Sequence, residues 1–162
     1  MLPLIMMILF LDFDGVTHEY ACKPTRYFHA LPLIESVVRE FAPKDLAIVV
    51  SSNWRNNTAW AIIVNVFAHD IAPRVIGFTP QSETLDFQAL PLILSAYPRE
   101  AECTAWMQKH CPAYCPWLAI DDEPAWFQPF CPNLMTIEDC TTGFEEWHVP
   151  LLRKKIENSL EK

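Results

Sequence analysis

Asp12 and Asp14 stand two residues apart near the end of an unbroken apolar run, residues 8–16 reading ILFLDFDGV. Side chains two apart on an extended strand point to the same face, so the two carboxylates can address one ligand while Phe13 packs away. Carboxylates held that close repel, and one would ordinarily keep its proton. A divalent cation removes the conflict, and an oxygen-only, partly hydrated site suits Mg²⁺. Two further polar clusters follow apolar runs in the same manner. Ser51, Ser52 and Asn53 come after DLAIVV, and Asp121 and Asp122 come after WLAI. Acids, hydroxyls and a shared cation are the parts of a metal-dependent phosphoryl-transfer site.

These clusters work together only if a fold brings them to one place. Apolar strand-like runs alternate with helix-like stretches along the chain, which predicts a parallel sheet covered on both faces. Strands are expected at residues 4–13, 45–52, 74–78, 117–121 and 133–137. Helices are expected at 30–42, 58–69 and 99–110 and in the closing segment 141–162, with Pro150 in its first turn. Residues 17–29 read as a loop or small flap, and 79–98 as a loop with one helical turn. In an open α/β sheet ligands sit beyond the carboxyl ends of the strands, and all three polar clusters lie just past such ends.

The 162 residues suit one domain, and 51% hydrophobic content supports a core without staples. Only three glycines occur, so Gly15 directly after the aspartates marks a sharp backbone exit. The net charge of −8 argues against a broad basic face coating nucleic acid, but not against recognition of a single phosphate. The opening apolar run lacks a basic leader and a cleavage site and is too short to span a bilayer. A cytoplasmic protein without a membrane partner is therefore expected, its six cysteines reduced. His110, Cys111 and Cys115 lack the paired spacing of a zinc site and read as turn and core residues.

In order and strand placement, DFDGV, VVSSN and LAIDDE resemble three signatures of the haloacid dehalogenase (HAD) superfamily of aspartate-nucleophile phosphohydrolases. SSNWR and the late CTTGF are similar to the HAD domain of Swiss-army-knife RNA repair proteins. The resemblance implies a doubly wound, Rossmann-like, five-stranded sheet of order 3-2-1-4-5 in a single domain. The gaps after the first and third strands are too short for a large cap domain.

By the same resemblance Asp12 is the nucleophile, forming an aspartyl-phosphate, and Asp14 is the acid and base. Mg²⁺ would be held by Asp12, the Asp14 backbone carbonyl and Asp121, with Asp122 orienting or substituting. Ser51 or Ser52 would hydrogen-bond the transferring phosphoryl, with Ser52 favoured because Asn53 follows it. The balancing cation is assigned to Arg99, at the active end of its helix, rather than Lys109 about 15 Å further along. Arg55 and Asn53 complete the expected phosphate-binding set. His18 is a candidate for substrate contact. An open site suits a phosphate on a large substrate, a polynucleotide end included. A small-nucleotide phosphatase and a non-catalytic phosphate-binding module on the same fold are the alternatives, and the intact Asp12–Asp14 pair speaks against the second.

Overall fold

The run MILFL becomes the central strand because it can be buried on both sides: every residue of β1 (Met7–Leu11) is 0% exposed. A strand apolar on both faces needs cover above and below, the condition of a parallel sheet. The computed structural model describes residues 6–111 and 114–161. β1 is flanked by β2 (Leu46–Val50) and β4 (Trp117–Asp121); β3 (Val75–Phe78) pairs with β2, and β5 (Leu134–Thr136) with β4. All pairings are parallel and the order is β3-β2-β1-β4-β5, as expected. The first strand is shorter than its apolar run suggests, since Asp12 and Phe13 lie beyond it. Residues 4 and 5, included in the expected strand, lie outside the described residues.

Alternation along β1 divides the core. Met7, Leu9 and Leu11 join Ile34, Val37 and Val38 of α1 (Leu31–Val38) and Leu152 and Ile156 of α4 (His148–Leu160). Ile8 and Phe10 face the other way, against Cys103 and Trp106 of α3 (Pro98–His110). Burying each large aliphatic or aromatic side chain contributes about 1.5–3 kcal/mol, so this central strand anchors the fold.

The chain runs from β1 outward to β3, then returns across the sheet to β4, making a switch point between β1 and β4. Leu11 pairs with both Val50 and Ile120, which puts Asp12, Ser51 and Asp121 at adjacent strand ends. The Asp12 amide donates to the Ile120 carbonyl at 3.1 Å, and the Ser51 amide to the Leu11 carbonyl at 3.0 Å.

The helix expected over residues 58–69 is largely absent: α2 covers only Trp60–Val64. Consecutive β-branched Ile62, Ile63 and Val64 are weak helix formers. Beyond them the buried Glu35 carboxylate accepts the Ala68 amide at 2.7 Å, drawing the chain into turns. The segment between β3 and α3 holds two short 3₁₀ turns, Ser82–Thr84 and Leu92–Ala96, rather than one. All six cysteines are free. Among the described residues no helix is long and apolar enough to cross a membrane.

Candidate active site

The carboxylates of Asp12, Asp121 and Asp122 offer oxygens that all lie within 4.8 Å of one another. Asp12 and Asp121 are buried and Asp122 is half-buried. Burial pushes the Asp12 carboxyl above its usual range, against the pull of Arg99. The Asp121 carboxyl is driven well above the ordinary value by burial and by the charge of Asp12. Burial and Asp12 together push Asp122 up to about 7. One oxygen of Asp121, Oδ2, is buried without a hydrogen-bond partner, although Arg99 Nε stands 3.3 Å away as an ion pair. A divalent cation fits this set, because it would engage the orphaned oxygen and remove the mutual repulsion.

Gly15 makes the third carboxylate possible. Its φ of +75° is the left-handed conformation, and a Cβ there would lie 2.2 Å from Asp122 Oδ2. The glycine thus turns the chain out of the sheet and leaves space for Asp122 to reach the cluster.

Arg99 enters from the first turn of α3, whose N-terminus is at the carboxyl end of the sheet. Its guanidinium is 3% exposed and contacts the Ser51 carbonyl, Glu102 Oε2 at 2.9 Å and the Asn53 side-chain oxygen at 3.4 Å. Burial alone would depress its pKa, but Asp12, Asp121 and Glu102 more than offset this and raise it. A fixed cation therefore faces the nucleophile candidate.

Arg55, expected on the phosphate, has a different task. Its Nε donates to the Thr79 carbonyl at 3.0 Å and its Nη1 to the carbonyls of Ser51 and Ser52, each at 2.8 Å. Its Nη2 donates to the Pro80 carbonyl at 3.2 Å and meets Glu102 Oε2 at 2.9 Å. With every nitrogen committed, it staples the β2 and β3 exits and presents no free donor to a ligand. Glu102, unremarkable in the sequence, accepts from both arginines and from the Ser82 amide at 2.9 Å.

The two serines separate. The Ser52 hydroxyl opposes the rise in the Asp12 pKa by hydrogen bonding, and it accepts the Trp54 amide at 3.3 Å as the cap of a 3₁₀ turn. The Ser51 hydroxyl is buried without a partner. Ser52 is thus the serine that favours the ionised form of Asp12. Asn53 is exposed and lines the cleft.

Asp14 stands outside the metal-ligand cluster. Its Oδ1 lies 3.0 Å from His18 Nε2, and its Oδ2 accepts from Trp54 Nε1 at 2.9 Å. The hydrogen bond from His18 holds its carboxyl below the ordinary value; burial opposes this and Trp54 adds to it. His18 is fully buried behind Asp14, so it does not face the cleft as a substrate contact.

A cleft of about 400 Å³ opens over the cluster, lined by Asp12, Asp14, Asn53, Arg99, Asp122 and Trp126 among others. The Trp126 ring lies 5.2 Å from the Arg99 guanidinium and forms a wall of the cleft. Tyr20, 67% exposed, stands at the mouth. The clue to Trp54 lay in SSNWR, two residues past Ser52, but its partner Asp14 is forty residues away. The loop that carries His18 is closed by CTTGF: the Phe144 amide donates to the Val16 carbonyl at 2.7 Å, and a Cβ on Gly143 would lie 2.9 Å from that carbonyl.

Residues 8–149 match a family model described as the HAD domain in Swiss Army Knife RNA repair proteins. No curated protein and no solved structure matches the chain.

Proposed function

Because the chain belongs to the family of HAD domains in Swiss Army Knife RNA repair proteins, we propose that it is a Mg²⁺-dependent phosphatase acting on a terminal phosphate of a polynucleotide or another large substrate. The observation that carries this reading is the convergence of Asp12, Asp121 and Asp122 with the buried Arg99 at the sheet's switch point. Asp12, Asp121 and Asp122 would hold the cation, with the Asp14 carbonyl. Bound there, the cation would orient the phosphoryl group and offset its developing charge.

The chain's own residues divide the remaining work. An Asp12 oxygen attacks phosphorus and the bond to the leaving oxygen breaks, giving an acyl phosphate on Asp12. Arg99 and the Ser52 hydroxyl bind phosphoryl oxygens, balancing charge and fixing the line of attack. Asp14 gives a proton to the leaving oxygen. A phosphate dianion arriving beside Asp14 raises its proton affinity, against the depression by His18 and Trp54. The ionised Asp14 then takes a proton from the water that attacks phosphorus, which releases phosphate and restores Asp12.

The cleft suits a phosphate displayed on a large molecule, because the segments after β1 and β3 form a flap and short turns rather than a cap. A second reading, a small-nucleotide phosphatase, is favoured by the pairing of nearby cations: Arg55 with Glu102, and the exposed Arg26 with Glu19. The test is kcat/KM with Mg²⁺ across a salt series, for matched 5′- and 3′-phosphorylated oligonucleotides, mononucleotides and phosphopeptides. An oligonucleotide preference is expected, with a shallow salt dependence. At about 0.7 per phosphate contact on a single strand, one or two contacts give a log–log slope of about 0.7–1.4. A mononucleotide preference at every salt concentration would select the second reading. Full turnover after chelation would remove the metal from the mechanism.

A further inference from the structure

Asp14 is the one carboxylate of the cleft, among the described residues, whose two oxygens are each taken by a ring N–H, and that arrangement is built from three separate pieces of chain. Trp54 Nε1 is only ever a donor, so its 2.9 Å contact with Oδ2 has one sense. The sense of the His18 contact follows from its far side. The Phe28 amide lies 3.3 Å from His18 Nδ1, and an amide N–H can only donate. Nδ1 must therefore carry the lone pair, which puts the imidazole proton on Nε2, directed at Asp14 Oδ1 3.0 Å away. The Thr17 hydroxyl, 3.1 Å from both Nδ1 and the Phe13 carbonyl, fits this tautomer with its proton turned to Nδ1.

Both rings are held in place by neighbours that do not face the cleft. His18 packs edge-on against Phe28 at 5.2 Å and tilts against Tyr27 at 4.9 Å. Trp54 meets Tyr27 and Phe28 at 5.1 Å and Phe13 at 6.0 Å. Phe28 sits at φ +62°, a left-handed conformation that a bulky side chain rarely adopts, at the residue whose amide meets His18. The Asp14 side chain is 39% exposed and lines the cleft, whereas His18 is fully buried behind it.

We propose that His18 and Trp54 are positioning residues that fix the Asp14 carboxylate for proton transfer without touching substrate. The inference rests on the phosphatase reading and on Asp14 as its acid and base. A carboxylate tethered at both oxygens has one orientation, and misplacement of a reacting group by about 1 Å can cost about 100-fold in rate.

The test compares His18→Leu, His18→Gln and Trp54→Phe with the wild-type protein, each checked for folding by circular dichroism. His18→Leu removes the donor; the amide nitrogen of His18→Gln replaces Nε2; Trp54→Phe keeps a ring but loses the N–H. With an alkyl phosphate, His18→Leu and Trp54→Phe are expected to lower kcat by about 10–100-fold with KM within about 2-fold, and His18→Gln to recover most of the loss. The first-turnover burst with nitrophenyl phosphate, whose leaving group needs no proton, is expected to change little. In the wild-type protein ¹⁵N spectra of the imidazole are expected to show the proton on Nε2. A raised KM with unchanged kcat, equal burst losses for both leaving groups, His18→Gln no better than His18→Leu in folded proteins, or a proton on Nδ1 would each overturn the inference alone. Wild-type protein that turns over neither substrate would overturn the phosphatase reading, and this inference with it.

Discussion

Replacing Asp12 by asparagine or alanine is expected to lower turnover of every phosphomonoester by at least about 10⁴-fold, with the fold intact. The proposed mechanism leaves no second group to take the role. Asp121 and Asp122 would be taken up by the cation, and both oxygens of Asp14 are held by His18 and Trp54. Stability should move the other way. The folded-state pKa of Asp12 is raised, chiefly by burial, so the folded protein binds that proton more tightly than the unfolded chain. The stabilisation is present when the carboxyl is protonated and is lost as pH rises through the raised value. Asparagine cannot ionise and escapes that loss. Without divalent cations, Asp12→Asn should therefore melt no lower than the wild-type protein at neutral pH. Thermal melts and steady-state assays on the same preparations check both halves; a folded variant with ordinary turnover would exclude Asp12 as nucleophile.

Arg99→Ala is expected to be the most damaging single change to stability, at about 3–5 kcal/mol. The guanidinium is 3% exposed and sits among Asp121, Glu102 and the Ser51 carbonyl, with Asp12 also within its field. Removing it strands buried negative charge, which costs more than the pair itself contributes. Glu102 would keep Arg55, but the Asp12, Asp121 and Asp122 cluster would lose its facing protein cation. Millimolar Mg²⁺ should therefore return part of the lost stability to Arg99→Ala, and a larger part than it adds to the wild-type protein. Arg99→Lys should fall between, since a lysine supplies the charge but not the fork that reaches Ser51, Glu102 and Asn53 together. Melting curves with and without Mg²⁺ measure this. An Arg99→Ala protein as stable as wild type would remove Arg99 from the electrostatic balance of the site.

The sheet was legible because each strand announces itself locally. MILFL, LAIVV and WLAID are apolar runs of strand length, and a run buried on both faces calls for a parallel sheet. The polar residues directly after those runs were legible for the same reason, as was the position of Arg99 at the active end of α3. What the sequence hid is long-range. Arg55 and Arg99 look alike as isolated arginines, and only the carbonyls of Thr79 and Pro80 and the carboxylate of Glu102 commit the first to a structural task. His18 read as a loop residue open to substrate, because nothing nearby in sequence shows that Tyr27, Phe28 and Trp54 close over it. The helix over residues 58–69 shortens to α2 because the helical pattern of its apolar residues conceals their β-branching, and because Glu35, from a distant helix, takes the Ala68 amide.

The central claim, a covalent phosphate on Asp12, is tested most directly by trapping it. In Asp14→Asn the first step survives for nitrophenyl phosphate, which needs no acid, while hydrolysis of the acyl phosphate lacks its base. Acid-quenched Asp14→Asn protein incubated with ³²P-labelled nitrophenyl phosphate and Mg²⁺ should carry close to one label per chain. The label should be released by hydroxylamine, as an acyl phosphate is, and should map to the peptide containing Asp12. A burst of nitrophenol with no label on the protein, or a label mapping to another residue, would contradict the account.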